Sequence, residues 1–125
     1  MSETWVIEED GTGAVASGAV REVLRARIAR GRLETWLTGS SGRSLAVVTN
    51  TARAMVVLLA REGDPGEHAV DPGAEDWSDG YTLANGQDDA YPDEDTVPLD
   101  EAYRIVEHIV GTGTWPSDAR WVSDR

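Results

Sequence analysis

Adjacent carboxylates are the residues of this chain whose type and spacing come nearest to catalytic chemistry. They occur at Glu75-Asp76, at Asp88-Asp89 and at Asp93-Glu94-Asp95. A carboxyl group that works as a general acid needs an apolar pocket that raises its pKa. These residues lie instead in the most polar part of the sequence, so we predict that they do not form a hydrolase site.

Metal binding is the second chemistry that the sequence could support. The run Asp76-Trp77-Ser78-Asp79-Gly80 imitates part of a calcium loop, but no glutamate follows at the distance such a loop requires. Cysteine is absent, and His68 and His108 are isolated in the sequence without a ligand spacing. We therefore predict no metal, no cofactor and no catalytic residue, and we expect both histidines to be solvated.

The acidic residues are concentrated in one part of the chain. The net charge is −12; residues 62–101 hold 14 acids and no arginine, whereas residues 1–61 hold 6 acids and 8 arginines. Such a block repels nucleic acid and anionic membranes and attracts basic protein surfaces. We predict a protein partner with a basic surface, and neither nucleic acid nor membrane. The alternative is that the acidity only keeps a small domain soluble.

Three aromatic residues are interleaved with this acidic block, and aromatic side chains ringed by charge are typical of protein-binding hot spots. The alternative is that these aromatics pack over a hairpin and hold a loop in place. In both cases the carboxylates of residues 88–95 are expected to stay exposed. The candidate partner-binding residues are Trp77, Asp79, Tyr81, Asp88, Asp89, Tyr91, Asp93, Glu94 and Asp95.

The first half of the chain reads as a strand, a helix and a run of strands. A short strand at residues 4–7 is expected to end before Asp10 and Gly11. The apolar positions from Val20 to Ile28 recur at helical spacing, and Gly31 suits a helix end. Strands are predicted at residues 34–38, 45–49 and 54–60, the last of them central and covered on both faces, with a short strand at residues 68–70.

The second half reads as a hairpin, a helix and a last strand. Residues 74–79 read as a loop and residues 80–84 as a strand, and Asn85-Gly86 predicts a type I′ turn with positive φ at both residues. The returning strand ends at Pro92. A helix then begins at Pro98, carries one apolar stripe from Ala102 to Val110, and ends at Gly111, before a last strand at residues 120–123.

This order of elements has no βαβ alternation. It predicts one α+β domain over residues 1–125, with a mainly antiparallel sheet and two principal helices packed on it. The N-terminal residues have neither the basic nor the apolar region of a signal peptide, and the longest apolar run is too short to span a membrane. We therefore expect a cytoplasmic location.

The segment from residue 80 onward resembles a known pattern. An aromatic strand ends in Asn85-Gly86-Gln87, an acidic stretch leads to Val97-Pro98-Leu99, and the helix ends in Gly111–Gly113, followed by a proline and Trp121. This resembles immunity protein family one, which is found beside the polymorphic toxins of bacteria, particularly actinobacteria. The resemblance covers roughly residues 80–123; over residues 1–79 only the order of elements agrees.

The resemblance implies a small α+β protein without enzymatic activity that neutralises a cognate toxin by binding it. The toxins of this family often carry nucleic-acid deaminase domains, whose substrate-binding mouths should be basic because they attract a polyanion. The resemblance also implies structural roles for Trp121 and the Asn85-Gly86-Gln87 turn, but it assigns no contact residues. Two alternatives stay open: another acidic interaction protein, such as a secretion chaperone or nucleic-acid mimic, and an enzyme.

Overall fold

The computed structural model describes residues 3–7 and 13–125 of the chain. Two α-helices, nine strands and one 3₁₀ turn make up these residues. In chain order they are β1 (Trp5–Ile7), α1 (Val20–Ala29), β2 (Glu34–Gly39), β3 (Ser44–Thr49), β4 (Arg53–Leu59), β5 (Glu67–Ala69), β6 (Trp77–Thr82), β7 (Asp88–Pro92), the 3₁₀ turn (Asp93–Asp95), β8 (Val97–Pro98), α2 (Leu99–Thr112) and β9 (Trp121–Ser123).

An antiparallel sheet forms the centre of the molecule. Its strand order is β1-β2-β3-β4-β5-β9, and β8 pairs with the start of β4. The remaining strands, β6 and β7, form a separate two-stranded hairpin. The predicted α+β fold with a mainly antiparallel sheet and two helices is therefore confirmed.

The main core lies between the sheet and the two helices. In α2 the stripe from Ala102 to Val110 is buried as predicted, and Val20 and Leu24 of α1 join it. These side chains recur every three or four residues, so they share one face of each helix. On the sheet side the core is completed by inward-facing residues of β1 to β4: Trp5, Ile7, Leu37, Leu45, Val47, Ala54, Val56 and Leu58.

The opposite face of the sheet is covered only in part. On β3 the alternate residues Ala46 and Val48 are buried there, where β6 packs against the strand. On β4 the alternate residues Met55 and Val57 are only half-buried. The prediction that residues 54–60 form a central strand is confirmed. The strand covered on both faces, however, is β3, because the β6–β7 hairpin packs over β3.

The hairpin turn differs from the prediction. Gly86 has φ +88° as expected, but Asn85 does not have a positive φ. The N–H of Leu83 donates to the carbonyl of Gln87 (2.8 Å), and the N–H of Gly86 donates to the carbonyl of Leu83 (2.9 Å). This is a three-residue loop, in which a type I turn is followed by a left-handed glycine. Only Gly86 therefore needs the left-handed conformation.

Two element boundaries also differ from the prediction. Strand β6 begins at Trp77, inside the stretch predicted to be a loop. Helix α2 runs through Gly111 to Thr112, and Gly113, which has φ +83°, caps its end. A Cβ atom on Gly111 would lie 3.1 Å from the Cβ of Ser17, so the glycine lets helix α2 approach Ser17 closely. The predicted turn at Asp10 and Gly11 lies outside the described residues.

Over the residues that the structure describes, no helix has the length and apolar character needed to cross a membrane.

Candidate protein-binding surface

The candidate residues lie on the β6–β7 hairpin and the 3₁₀ turn that follows it. Trp77 pairs with Pro92, and Ser78 pairs with Tyr91, but Tyr81 pairs with Asp89. Two residues, Asp79 and Gly80, therefore oppose the single residue Ala90, which makes a β-bulge. Gly80 has φ +86°, a conformation that a glycine adopts without strain.

The bulge decides which side chains point outward. Trp77 lies on the outer face of the hairpin, together with the alternate residues Asp88 and Ala90 of β7. Tyr81 and Tyr91 lie on the inner face, towards the main sheet. We call the exposed residues Trp77, Asp79, Asp88, Ala90 and Glu94 the hairpin surface.

The three aromatic residues thus have three different environments. Trp77 is 68% exposed, the largest exposure of any large apolar side chain among the described residues, whereas Tyr81 is 0% exposed. Tyr91 is half-buried and meets the ring of Tyr81 edge-on, with the centroids 4.8 Å apart. Of the two alternatives, packing describes Tyr81 and most of Tyr91, and only Trp77 is free to contact a partner.

Tyr91 is further held by a carboxylate. Its hydroxyl donates a hydrogen bond to Asp89 (2.9 Å), which also accepts one from the side chain of Gln87 (2.8 Å). Burial and the negative charge of Asp89 together raise the pKa of Tyr91 to about 12. Asp89 is therefore half-buried and engaged in the hairpin itself.

The prediction that all carboxylates of residues 88–95 stay exposed is wrong for Asp93 and Asp95 as well. The side chain of Asp93 is 16% exposed and accepts a hydrogen bond from the hydroxyl of Ser78 (2.6 Å). Asp95 contacts the imidazole of His68 (3.0 Å). Of the five carboxylates predicted to be exposed, only Asp88 and Glu94 are so, along with Asp79 from the bulge.

Arg53, at the start of β4, joins the hairpin to the main sheet. Its guanidinium donates to the Asp71 carboxylate (2.7 Å) and to the backbone carbonyls of Asp93 (3.1 Å) and Thr96 (3.0 Å). Its Nε donates to the Thr96 hydroxyl (2.8 Å). On the other side of the hairpin, Asn50 donates to the carbonyl of Asp79 (2.9 Å). These bonds hold the hairpin surface in a fixed position, and nothing in the local sequence around Arg53 predicted its role.

His68 is not solvated, contrary to the prediction, although His108 is exposed as expected. The Nδ1 of His68 lies 2.7 Å from Asp124 and its Nε2 lies 3.0 Å from Asp95. Partial burial alone would lower the pKa of His68, but the two carboxylates outweigh burial, and the net pKa is raised.

Residues 77–80 of the calcium-like run lie in extended strand β6, and among the described residues no three carboxylate or histidine side chains converge as a metal site would require.

The exposed carboxylates of the hairpin surface lack basic neighbours. Within the described residues, Asp79, Asp88 and Glu94 make no ion pair with arginine, whereas Asp64, Glu67 and Asp71 all do. Trp77 and Asp79 line a shallow depression with Asn50, Ser78 and Ala90. The arrangement offers one large apolar side chain among unneutralised negative charges.

No protein-family model matches the chain, and no curated protein matches it.

Proposed function

We propose that this chain binds and neutralises a basic protein toxin, as an immunity protein does, and that the hairpin surface makes the contact. The observation that carries the proposal is Trp77, which is 68% exposed beside carboxylates that have no arginine partner. Exposing so much apolar surface is unfavourable in the free protein, and its burial against a partner is favourable.

The chemistry of the partner follows from the surface. Exposed carboxylates without arginine partners favour a partner surface rich in lysine and arginine. A toxin that acts on nucleic acid needs such a basic surface to attract its polyanionic substrate. The carboxylates of Asp79, Asp88 and Glu94 would take the places of substrate phosphates, and Trp77 would fill an adjacent pocket. No catalysis by this chain is required.

The rigidity of the hairpin supports the proposal. Arg53 and Asn50 hydrogen-bond to backbone carbonyls of the hairpin and of the turn that follows it. Tyr81, on the inner face of the hairpin, is wholly buried. A surface that is already ordered loses little conformational freedom when it binds, so more of the contact energy appears as affinity.

The test begins with the protein encoded beside this chain's gene, coexpressed with the chain and copurified. We expect a stoichiometric complex, and we expect cells that make both proteins to survive. Trp77→Ala should weaken the complex by about 2 kcal/mol or more, mostly through faster dissociation.

A control is Val122→Ala, because the Val122 side chain is also exposed, at 42%, but lies on β9. It should leave toxin affinity and protection unchanged. Equal losses for the two variants, or full protection by Trp77→Ala, would contradict the assignment of the hairpin surface.

A further inference from the structure

Strand β9 is an edge of the main sheet with a free row of backbone groups. It pairs with β5 so that His68 lies opposite Val122. The N–H of Val70 donates to the carbonyl of Arg120, and the N–H of Asp124 donates to the carbonyl of Gly66. Because antiparallel pairing alternates, residues 120, 122 and 124 direct their backbone groups towards β5. The N–H and C=O of Trp121 and Ser123 therefore point away from the sheet, and no strand of the described residues pairs with them.

The exposed apolar side chains of the described residues also concentrate on β9. Among the described residues, three large apolar side chains are more than a third exposed, namely Trp77, Trp121 and Val122, and two of these are neighbours on β9. The Trp121 ring is stacked on Trp115, with the centroids 5.9 Å apart and the planes 10° from parallel. This stacking fixes the strand and leaves the outer side of Trp121 uncovered.

The charges that flank β9 are self-complementary. Arg120 precedes Val122 by two residues, and Asp124 follows it by two. Arg120 is exposed and makes no ion pair within the described part of the chain. If two copies of β9 meet antiparallel about a two-fold axis at Val122, each Arg120 stands opposite the Asp124 of the other copy.

The hydrogen-bond register agrees with this arrangement. A two-fold axis at Val122 places Trp121 opposite Ser123 of the second copy, and these are the residues with outward-facing N–H and C=O groups. Val122 against Val122 and Arg120 against Asp124 then occupy the non-hydrogen-bonded positions, where Cα atoms lie about 4.5 Å apart and side chains are closest.

We propose that the chain forms a two-fold symmetric dimer by pairing β9 with β9 of a second copy, which joins the two main sheets into one. This dimer is independent of the toxin-binding proposal, because the hairpin surface takes no part in it. The strand is short and both copies carry a net charge of −12, so the association is weak. We expect a monomer–dimer equilibrium with a dissociation constant of about 10 µM to 1 mM at moderate salt.

Cysteine cross-linking tests the register directly, because the chain has no cysteine of its own. Val122→Cys places the two thiols face to face across the axis, and mild oxidation should give a covalent dimer. Ser123→Cys is the matched control on the next residue of the same exposed strand. Its two thiols lie diagonally, about 7–8 Å apart, beyond the span of a disulfide. Equal cross-linking of both variants would overturn the proposal.

Sedimentation equilibrium of the unmodified chain and of two Ser123 variants tests the backbone pairing. Ser123→Pro removes an N–H that faces away from β5, so it should keep the circular dichroism spectrum and melting temperature while abolishing the dimer. Ser123→Ala keeps that N–H and should dimerise like the unmodified chain. A monomer at about 1 mM for the unmodified chain, or an undiminished dimer for Ser123→Pro, would overturn the proposal.

Discussion

The imidazole of His68 contacts a carboxylate at each of its two nitrogens, and this geometry favours the protonated ring. A neutral imidazole can donate only one hydrogen bond. Its second nitrogen is then an acceptor and would face a carboxylate oxygen that is also an acceptor, which is unfavourable. The imidazolium donates to Asp95 and to Asp124 at once. These partners lie 27 and 56 residues away in the sequence, so only the fold could reveal them.

The raised pKa of His68 makes a prediction about stability and pH. A group whose pKa is raised in the folded state stabilises that state below its ordinary pKa of 6.5, and the stabilisation is lost as the pH rises through the folded pKa. The unfolding free energy of the unmodified chain should therefore exceed that of His68→Gln most at pH 6 and less at pH 9. Urea unfolding across this range measures the difference.

His108→Gln is the control for that experiment, because His108 is exposed on α2. His108→Gln removes no bridge between two carboxylates, so it should change the unfolding free energy at pH 6 by less than about 0.5 kcal/mol. Asp64, whose pKa is lowered to about 2 mainly by the hydrogen bond from Arg125, titrates well below this window and does not interfere. A constant difference between the unmodified chain and His68→Gln would contradict the imidazolium bridge.

The aromatic residues show why a residue's type did not determine its exposure. From the sequence, Trp77, Tyr81 and Tyr91 were equally suited to packing or to binding. The inward and outward positions depend on the bulge at Asp79 and Gly80, which shifts the alternation of β6 by one residue. From the sequence, Trp77 was expected to lie in a loop, so the alternation of β6 could not be followed through it.

At the scale of elements, the β6–β7 hairpin needs a single left-handed residue at its tip. Gly86 has φ +88°, and a β-branched side chain is strained in that conformation. Gly86→Val should lower the unfolding free energy by about 1–2 kcal/mol. Ala84→Val, in the same exposed turn but without a positive φ, should have a much smaller effect. Equal melting temperatures for Gly86→Val and the unmodified chain would show that the turn is not strained.

Helix α2 is the element that the sequence predicted best, because its signals are local. Its apolar stripe needs only a 3.6-residue repeat, and Ile105 and Ile109 are indeed 1% and 0% exposed. The end of the helix was wrong because Gly111 serves a contact with Ser17, and that contact comes from the tertiary fold. Patterns of one element were predictable, whereas contacts between elements were not.

Truncation of a buried residue in α2 tests its part in the core. Ile109→Ala should lower the unfolding free energy by about 2–5 kcal/mol, because it removes buried apolar surface and leaves a cavity. His108→Ala changes the exposed neighbour and should alter stability by less than about 0.5 kcal/mol. Denaturant unfolding measures both variants, provided that the dependence of the unfolding free energy on denaturant concentration is the same for each. Similar small effects of Ile109→Ala and His108→Ala would mean that α2 does not anchor the core.

At the scale of the whole molecule, the fold pairs some of the acids of residues 62–101 with arginines and leaves others without an arginine partner. Arg53, Arg104 and Arg125 come from outside residues 62–101 and pair with acids inside them. Charge counting along the sequence could not separate paired from unpaired acids. Three of the acids without arginine partners, Asp79, Asp88 and Glu94, belong to the hairpin surface.

The three carboxylates of the hairpin surface should affect stability and toxin binding in opposite directions. Replacing Asp79, Asp88 and Glu94 together by their amides removes like-charge repulsion in the free protein, so its unfolding free energy should stay equal or rise slightly. Association with a basic toxin should become slower and less dependent on salt, because long-range attraction is lost. Changing Glu62, Glu75 and Asp100 to amides removes as many exposed charges outside the hairpin surface, none of them in an ion pair with arginine among the described residues, and should slow association less. Stopped-flow measurements of association at several salt concentrations compare the two triple variants.

If the two triple variants associate at the same rate, only the total charge of the chain matters and the hairpin surface has no special part. If neither differs from the unmodified chain while both lose solubility, the acidity serves solubility alone.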